Sequence, residues 1–431
     1  MENLKNHKLA KWVWMVLCLY VVALTCSIAG MELGAALLTL TAVFVVVSRL
    51  IRKESLKFLR FQGDFLLWGF IFFIVLGAAL IPDLSIFERR EIIRSSRLIL
   101  TLYALLIAFW VLRVNATEKI TLFLKTLFSA MIMVASYGIV QFFTGIDILR
   151  KAQYTDLIFS DRSVALFRVK SFYTNTMSYS YIFGMLFCVL VAFWYLKGIK
   201  FKNEWVLRIA VPIVLTSLFL TFTRGLWIGL IAALLVMSAL LSWRLAVKTL
   251  IGIVFIFGIL MAVSPSSRER IAGIVTIDQS SSERLQIWQN HWAMFKDHPL
   301  LGVGFEQNGR LMQEYNHKLF GHEWRVVHAH NHFLQILTGV GIFGFLFFLN
   351  FSLCMYWLAF KLWFESSRTD HFSRAIALGS IGAQTVFHVG GLTEAVFVDR
   401  ESNHAYLLVI ALTIATYSFM QYSKSNEFKH I

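Results

Sequence analysis

Long apolar runs follow one another along most of this 431-residue chain and limit the folds that it can adopt. A helix of about 20 apolar residues is long enough to cross a lipid bilayer. Hydrophobic residues make up 58% of the sequence and charged residues only 15%. Because a water-soluble globule of this size could not bury so much apolar surface, the sequence predicts an all-α integral membrane protein surrounded by membrane lipid.

Twelve apolar runs are predicted to be transmembrane helices. The run 374–391 is less apolar than the others because it contains Gln384 and His388, and the run 32–48 follows the first after only a tight turn. The predicted spans are residues 12–29, 32–48, 65–81, 97–112, 124–143, 178–196, 205–222, 226–242, 248–264, 333–360, 374–391 and 404–421.

Three regions follow from this division of the chain. Residues 1–264 contain predicted spans one to nine, residues 265–332 form a large polar loop, and residues 333–431 contain spans ten to twelve and a C-terminal tail. Every second loop is rich in lysine and arginine, which places both termini in the cytoplasm by the positive-inside rule. This topology accounts for the net charge of +15 without a nucleic-acid partner, and it places the large loop in the periplasm.

The large loop is predicted to contain an amphipathic helix. Leu285, Trp288, Trp292 and Phe295 recur at the spacing of one helical face, and Pro299 follows the end of the pattern. We expect this helix to lie on the membrane surface or on the helix bundle.

Three arginines in or beside the predicted outer loops could bind an anion. Arg224 lies just beyond the end of the seventh predicted span, Arg284 lies in the amphipathic helix, and Arg168 precedes the sixth span. A guanidinium group matches the oxygens of phosphate. The alternatives are a snorkelling interfacial side chain for Arg224, a solvated or glutamate-paired side chain for Arg284, and a simple loop charge for Arg168.

Two other groups of polar residues lie in these outer loops. Asp399, Arg400 and Glu401 follow the eleventh span and are predicted to form a local ion pair. His328 and His330 directly precede the tenth span, where an imidazole could act as a general base. Their spacing does not fit a zinc-binding helix, and no cysteine or acidic residue lies close enough in sequence to complete an obvious zinc set, so no metal site is expected.

The histidines also belong to a longer pattern. His330 and Asn331 are followed after nine residues by Gly341 and Gly344, which resembles the pattern H-(N/S/Q)-x9-G-x-x-(G/T/Y) of bacterial O-antigen ligases. The wider superfamily includes O-antigen polymerases and protein O-oligosaccharyltransferases. The resemblance extends over roughly residues 160–400, and its further elements are Thr223-Arg224-Gly225, Glu283-Arg284 followed by Trp288, and the segment 298–304.

The resemblance implies a GT-C-like fold and a glycosyltransferase of lipopolysaccharide biosynthesis in the bacterial inner membrane. The donor would be a glycan on undecaprenyl diphosphate and the acceptor a sugar hydroxyl of lipid A–core, with inversion and without a metal or cofactor. By resemblance His330 is the catalytic residue, and Arg224 and Arg284 bind the diphosphate. His328, Asn331 and Arg168 are candidates for acceptor contacts or for support of the site. Arg168 precedes an aromatic residue without the glycine that the pattern leads one to expect.

Three alternatives to a ligase remain. An O-antigen polymerase would accept a second lipid-linked glycan, but polymerases tend to have two large basic outer loops, whereas here one loop dominates and its charges are close to balanced. A protein O-oligosaccharyltransferase is disfavoured because no large soluble domain follows the twelfth span. A twelve-helix transporter is disfavoured because the halves show no clear repeat and few charges lie near the membrane midplane.

Overall fold

A computed structural model describes residues 2–113, 116–148, 157–161, 164–199, 205–263, 279–321 and 328–427. Parts of the predicted large loop, residues 265–278 and 322–327, therefore lie outside the described residues. The helices within the described ranges are α1 (Glu2–Cys26), α2 (Ile28–Ile51), α3 (Asp64–Leu80), α4 (Ile86–Ser95), α5 (Leu98–Leu112), α6 (Ala116–Thr144), α7 (Thr176–Leu196), α8 (Trp205–Phe219), α9 (Arg224–Leu241), α10 (Trp243–Val263), α11 (Gln279–Asp297), α12 (Asn308–Phe320), α13 (His332–Glu365), α14 (His371–Gly390) and α15 (Arg400–Glu427).

Each of the twelve predicted runs lies mainly on one of these helices, although the run 12–29 continues from α1 into α2 and the run 205–222 extends past the end of α8. Among the described residues, eight helical segments are long and apolar enough to cross a membrane, and α3 and part of α8 are shorter apolar helices. The all-α membrane protein is therefore confirmed, and the count of twelve remains a prediction. The eight segments are His7–Cys26, Ile28–Ile51, Ile86–Leu112, Ala116–Thr144, Thr176–Leu196, Arg224–Leu241, His332–Glu365 and Arg400–Ser423.

Helix α14, which contains the weakly apolar run 374–391, packs against α7 and α9. Its small residues permit this close packing. A Cβ atom on Gly382 would lie 2.4 Å from the sulfur of Met237, and one on Gly229 of α9 would lie 2.9 Å from the carbonyl oxygen of Val386. Because lipid tails are as apolar as leucine, close packing of small residues holds membrane helices together. The low hydropathy of this run thus reflects contact with protein rather than with lipid.

Two polar side chains of α14 are accommodated by their neighbours. The Gln384 amide donates hydrogen bonds to the Met355 carbonyl at 3.3 Å and to the Ser380 hydroxyl at 3.2 Å. The ring nitrogen Nδ1 of His388 lies 3.5 Å from Nε2 of His332, which is itself fully buried. These contacts favour the structural interpretation of Gln384 and His388 over the transport path that the sequence left open.

Helix α13 contains a sharp kink at Gly341, where the backbone has φ 70° and ψ −175°. This conformation is essentially restricted to glycine. A Cβ atom at this position would lie 2.2 Å from the carbonyl oxygen of Leu300. The first glycine of the sequence pattern is therefore required for a backbone conformation and for the close approach of another segment.

The segment that approaches the kink is His298–Gly304, hereafter the proline–glycine segment. The N–H of Ile342 donates to the carbonyl of Pro299 at 2.8 Å, and the N–H of Val303 donates to the carbonyl of Thr338 at 2.9 Å. A break in a helix exposes backbone groups that must find other partners. Two elements of the family pattern thus form one structural unit.

Helix α11 confirms the predicted helix, and the face that packs against the neighbouring helices differs from the apolar face that the spacing indicates. Leu285 and Trp292 are 46% and 50% exposed. Instead, α11 packs against α12 and α13 through the buried residues Ile287, Asn290, His291 and Met294. The hydropathy pattern does not indicate this face because two of its residues are polar. The Asn290 amide donates a hydrogen bond to Asn316 of α12 at 3.1 Å.

The segment between α6 and α7 contains two short strands that the sequence interpretation did not include. Strand β1 (Leu157–Asp161) pairs antiparallel with β2 (Val164–Phe167). The following residue, Arg168, leads the chain back toward the helix bundle.

Candidate active site

The candidate site lies where α13 begins, α14 ends and α9 begins. The N–H of His332 donates to the carbonyl of Gly391 at 2.8 Å, which ties the start of α13 to the end of α14. A Cβ atom on Gly225 would lie 2.4 Å from the hydroxyl of Thr393 and 3.5 Å from Cγ of Glu394. The absence of a side chain at Gly225 therefore lets the start of α9 lie against the segment that follows α14.

His330 is joined to a buried carboxylate. Its ring nitrogen Nδ1 lies 3.0 Å from Oε2 of Glu394. The Glu394 side chain is only 9% exposed, whereas that of His330 is 36% exposed. A carboxylate that accepts a hydrogen bond from Nδ1–H leaves the Nε2 lone pair as the proton acceptor of a neutral imidazole. The arrangement suits a general base whose tautomer and orientation are set by its neighbour.

The same carboxylate also binds Arg284. The Arg284 Nη2 atom lies 2.6 Å from Oε1 of Glu394, so the two carboxylate oxygens bridge the arginine and His330. The glutamate-paired alternative for Arg284 is thus realised, and the pairing places the guanidinium in the candidate site. A guanidinium has five N–H donors, so those not directed at Glu394 are suited to bind a second anion.

Glu394 was missed by the sequence interpretation. It lies in the same predicted outer loop as Asp399, Arg400 and Glu401, and only those three were singled out. The signal that could have found it is a carboxylate four residues after the end of α14, on the face to which Arg224 and His330 had been assigned. In the structure Arg400 pairs with Glu91 of α4 at 3.9 Å, so the predicted local ion pair is wrong.

The backbone that carries His330 is held on both sides. The Trp288 indole donates to the Ala329 carbonyl at 2.9 Å, and the Ala329 N–H donates to the Gln335 amide oxygen at 2.7 Å. His330 has φ 46°, in the left-handed region, which is uncommon for a residue with a side chain. Such strain persists where surrounding contacts impose it, and it is often found at functional sites. Trp288 is therefore directed at the site and not at the membrane surface.

The residues on either side of His330 have different environments. The Asn331 side chain accepts a hydrogen bond from the Leu334 N–H at 3.1 Å and so caps the start of α13. His328 remains exposed. Its pKa is nevertheless lowered, mainly because the surrounding protein removes water and also because His330 is near. The carboxylates of Asp399 and Glu394 raise the same pKa in the opposite direction. Asn331 thus positions the helix, while His328 borders the site.

Arg168 supports the turn that leads into Arg224. The Arg168 Nε–H donates to the Thr221 carbonyl at 2.9 Å, and the adjacent Val169 N–H donates to the Leu220 carbonyl at 3.1 Å. Arg224 itself is the first residue of α9. The structure therefore places Arg168 behind the turn and Arg224 at the helix terminus that faces Glu394.

Within the part of the chain that the structure describes, no group of three or more histidine, cysteine, aspartate or glutamate side chains has an arrangement that could hold a metal ion. The charged groups described above are instead a histidine, a carboxylate and arginines. These groups can together bind an anion and move a proton.

Comparison with known sequences agrees with this chemistry. No curated protein matches the chain. Residues 209–349 match the family model described as O-Antigen ligase, and this segment contains Arg224, Arg284 and His330 but ends before Glu394. The match confirms the resemblance predicted from the motifs: residues 209–349 are similar to the O-antigen ligase family.

Proposed function

We propose that the protein is an O-antigen ligase that transfers a glycan from undecaprenyl diphosphate to a sugar hydroxyl of lipid A–core. The reaction would take place at the periplasmic face of the inner membrane. The observation that carries the proposal is the carboxylate of Glu394, which bridges His330 and Arg284 at 3.0 Å and 2.6 Å. It joins a candidate base to a candidate diphosphate ligand in one site.

His330 would activate the acceptor. Its Nε2 atom takes the proton of the acceptor hydroxyl as the hydroxyl oxygen attacks the anomeric carbon of the donor. The bond between that carbon and the diphosphate oxygen breaks, and both electrons of this bond leave with the diphosphate. A single displacement of this kind inverts the anomeric configuration. Glu394 holds the ring and stabilises the imidazolium that forms.

The arginines would stabilise the leaving group. Negative charge grows on the diphosphate as the bond breaks, and guanidinium groups placed beforehand stabilise it without reorganisation. Arg224 is the first residue of α9, so the partial positive charge of the helix N-terminus acts at the same place. Because these groups supply positive charge, the proposed mechanism needs no metal ion.

The deciding experiment offers the purified protein two acceptors in proteoliposomes. Lipid-linked glycan is supplied as donor with either lipid A–core or a second lipid-linked repeat unit. A ligase extends lipid A–core, and the reaction continues in EDTA. Extension of the lipid-linked repeat alone would assign a polymerase instead, and transfer to neither acceptor would overturn both. Loss of activity in EDTA would overturn the metal-free mechanism.

Arg224→Ala tests the diphosphate ligand in the same assay. We expect transfer to fall by about 10²-fold or more, because a preorganised charge at a developing anion is removed. Arg244→Ala is the matched control, since Arg244 is exposed beside the opposite end of α9. Equal activity of the two variants would contradict the role of Arg224.

A further inference from the structure

A polar cavity opens between the starts of α2, α5 and α15 and the end of α4. Its volume is about 620 Å³, and we call it the arginine–carboxylate cleft. Its charged lining consists of Glu32, Arg94, Arg97, Asp399, Arg400 and Glu401. Small-molecule sites commonly have volumes of about 300–1,000 Å³, so the cleft has room for a few sugar rings.

We propose that the arginine–carboxylate cleft binds the saccharide end of the acceptor. The inference rests on the proposed function, because only a transferase needs a second substrate beside the donor. It assigns the acceptor a location and a set of ligands that the family match does not provide.

The segment after α14 connects the candidate site to the cleft. It meets the start of α9 at Glu394, next to Gly225, and reaches the cleft at Asp399. Both carboxylates raise the pKa of His328 against the lowering caused by burial. The cleft therefore lies at the same end of the helix bundle as the candidate site.

The helices that line the cleft are not those with which α9 has its main contacts. Helix α9 has its main contacts with α7, α10 and α14, whereas α2 and α5 pack against each other and against α1, and α5 also packs against α15. In a single displacement the acceptor hydroxyl attacks the anomeric carbon opposite the departing diphosphate, so the two groups approach that carbon from different directions. The donor diphosphate is assigned to Arg224 and Arg284, which leaves the cleft for the acceptor.

The charges in the cleft suit hydroxyl groups better than a second diphosphate. Arg97 binds both oxygens of Glu32 at 3.1 Å. Arg94 and Arg400 lie 3.4 Å and 3.9 Å from the carboxylate of Glu91. Alternating guanidinium and carboxylate groups offer donors and acceptors at once, as a sugar hydroxyl requires. The charged lining consists of three arginines and three carboxylates, so the cleft has no excess of positive charge for a diphosphate.

The test uses Arg94→Gln and Arg400→Gln in the reconstituted assay. Both side chains are at least 40% exposed, so their ion pairs contribute little to stability. At saturating donor, we expect the KM for the acceptor to rise roughly tenfold in each variant, the effect of one lost charged hydrogen bond. The KM for the donor is expected to stay unchanged. Arg90→Gln on α4, which is exposed and outside the cleft lining, is the matched control.

Both acceptors, lipid A–core and a second lipid-linked repeat, are tested so that the wild-type protein identifies the one it uses. An unchanged acceptor KM in an active protein overturns the cleft proposal alone, as does a rise in donor KM. Absence of transfer by the wild type overturns the proposed function. In that case, binding of fluorescent lipid A–core is compared between the His330→Ala protein and the same protein with Arg400→Gln. Roughly tenfold weaker binding supports the cleft, and equal binding overturns it.

Discussion

Two residues of the sequence pattern, His330 and Gly341, share a backbone feature but use it differently. His330 has φ 46° and Gly341 has φ 70°, and neither continues a regular helix. At His330 the unusual backbone carries a side chain that reaches Glu394 at 3.0 Å. At Gly341 the lack of a side chain lets the backbone at Leu300 approach.

Within one short pattern, His330 therefore has a proposed chemical role and Gly341 a structural role. His330 acts through the groups that its side chain contacts, so its substitution should affect turnover more than folding. Gly341 acts through the space that its missing side chain leaves, so its substitution should affect folding first. Four substitutions test this separation, beginning with the largest expected effect.

His330→Ala removes the proposed base. We expect transfer to fall by about 10³-fold, within the range that general-base catalysis supplies, while the thermal midpoint in detergent changes little because the ring is partly exposed. Substitution of His388, which is also near α13 but buried beside His332, serves as the comparison. His388→Gln should retain activity within a few-fold. Similar losses of transfer activity in both variants would show that His330 has no role beyond that of a histidine in the bundle interior.

Glu394→Gln keeps the shape of the side chain but removes its charge. An amide can donate to Nδ1 and so stabilise the wrong imidazole tautomer, and Arg284 loses its ionic partner. We expect kcat to fall by about 10²-fold, with a smaller change in the thermal midpoint than in Gly341→Ala. Glu314→Gln on α12, where the side chain is exposed, is the control. A fully active Glu394→Gln protein would show that the carboxylate does not serve the base.

Gly341→Ala tests the structural role of the glycine at the kink. The backbone conformation alone should cost about 1–3 kcal/mol, and the new Cβ would lie 2.2 Å from the Leu300 carbonyl oxygen. We therefore expect the free energy of unfolding to fall by at least about 2 kcal/mol, with a lower thermal midpoint. Gly252→Ala on α10, where a Cβ would meet no atom within 4 Å, should show no such loss. A Gly341→Ala protein that is stable but inactive would contradict the separation.

Trp288→Phe has the smallest expected effect. It removes the indole N–H that donates to the Ala329 carbonyl at 2.9 Å, which is one of two bonds that hold the backbone before His330. A neutral hydrogen bond contributes about 1 kcal/mol, so we expect a fall of about fivefold in kcat. An unchanged kcat would show that Gln335 alone orients this segment.

Local patterns were sufficient for some features and not for others. Helix α11 was predicted correctly as a helix, yet the face that packs against protein contains Asn290 and His291 instead of Trp292. Hydropathy ranks a tryptophan above an asparagine, but it does not register the bond that Asn290 makes with α12. The run 374–391 was likewise the weakest apolar run, although its helix packs between α7 and α9.

The sequence by itself determined that the chain forms apolar helices, because hydropathy and length are local properties. Through the family pattern it also singled out Arg224, Arg284 and His330. The tertiary structure alone decided that Glu394 joins two of these residues across 64 and 110 positions of sequence, and that the proline–glycine segment fills the kink at Gly341. Such pairs depend on how helices pack and where their ends meet, and no local pattern encodes that.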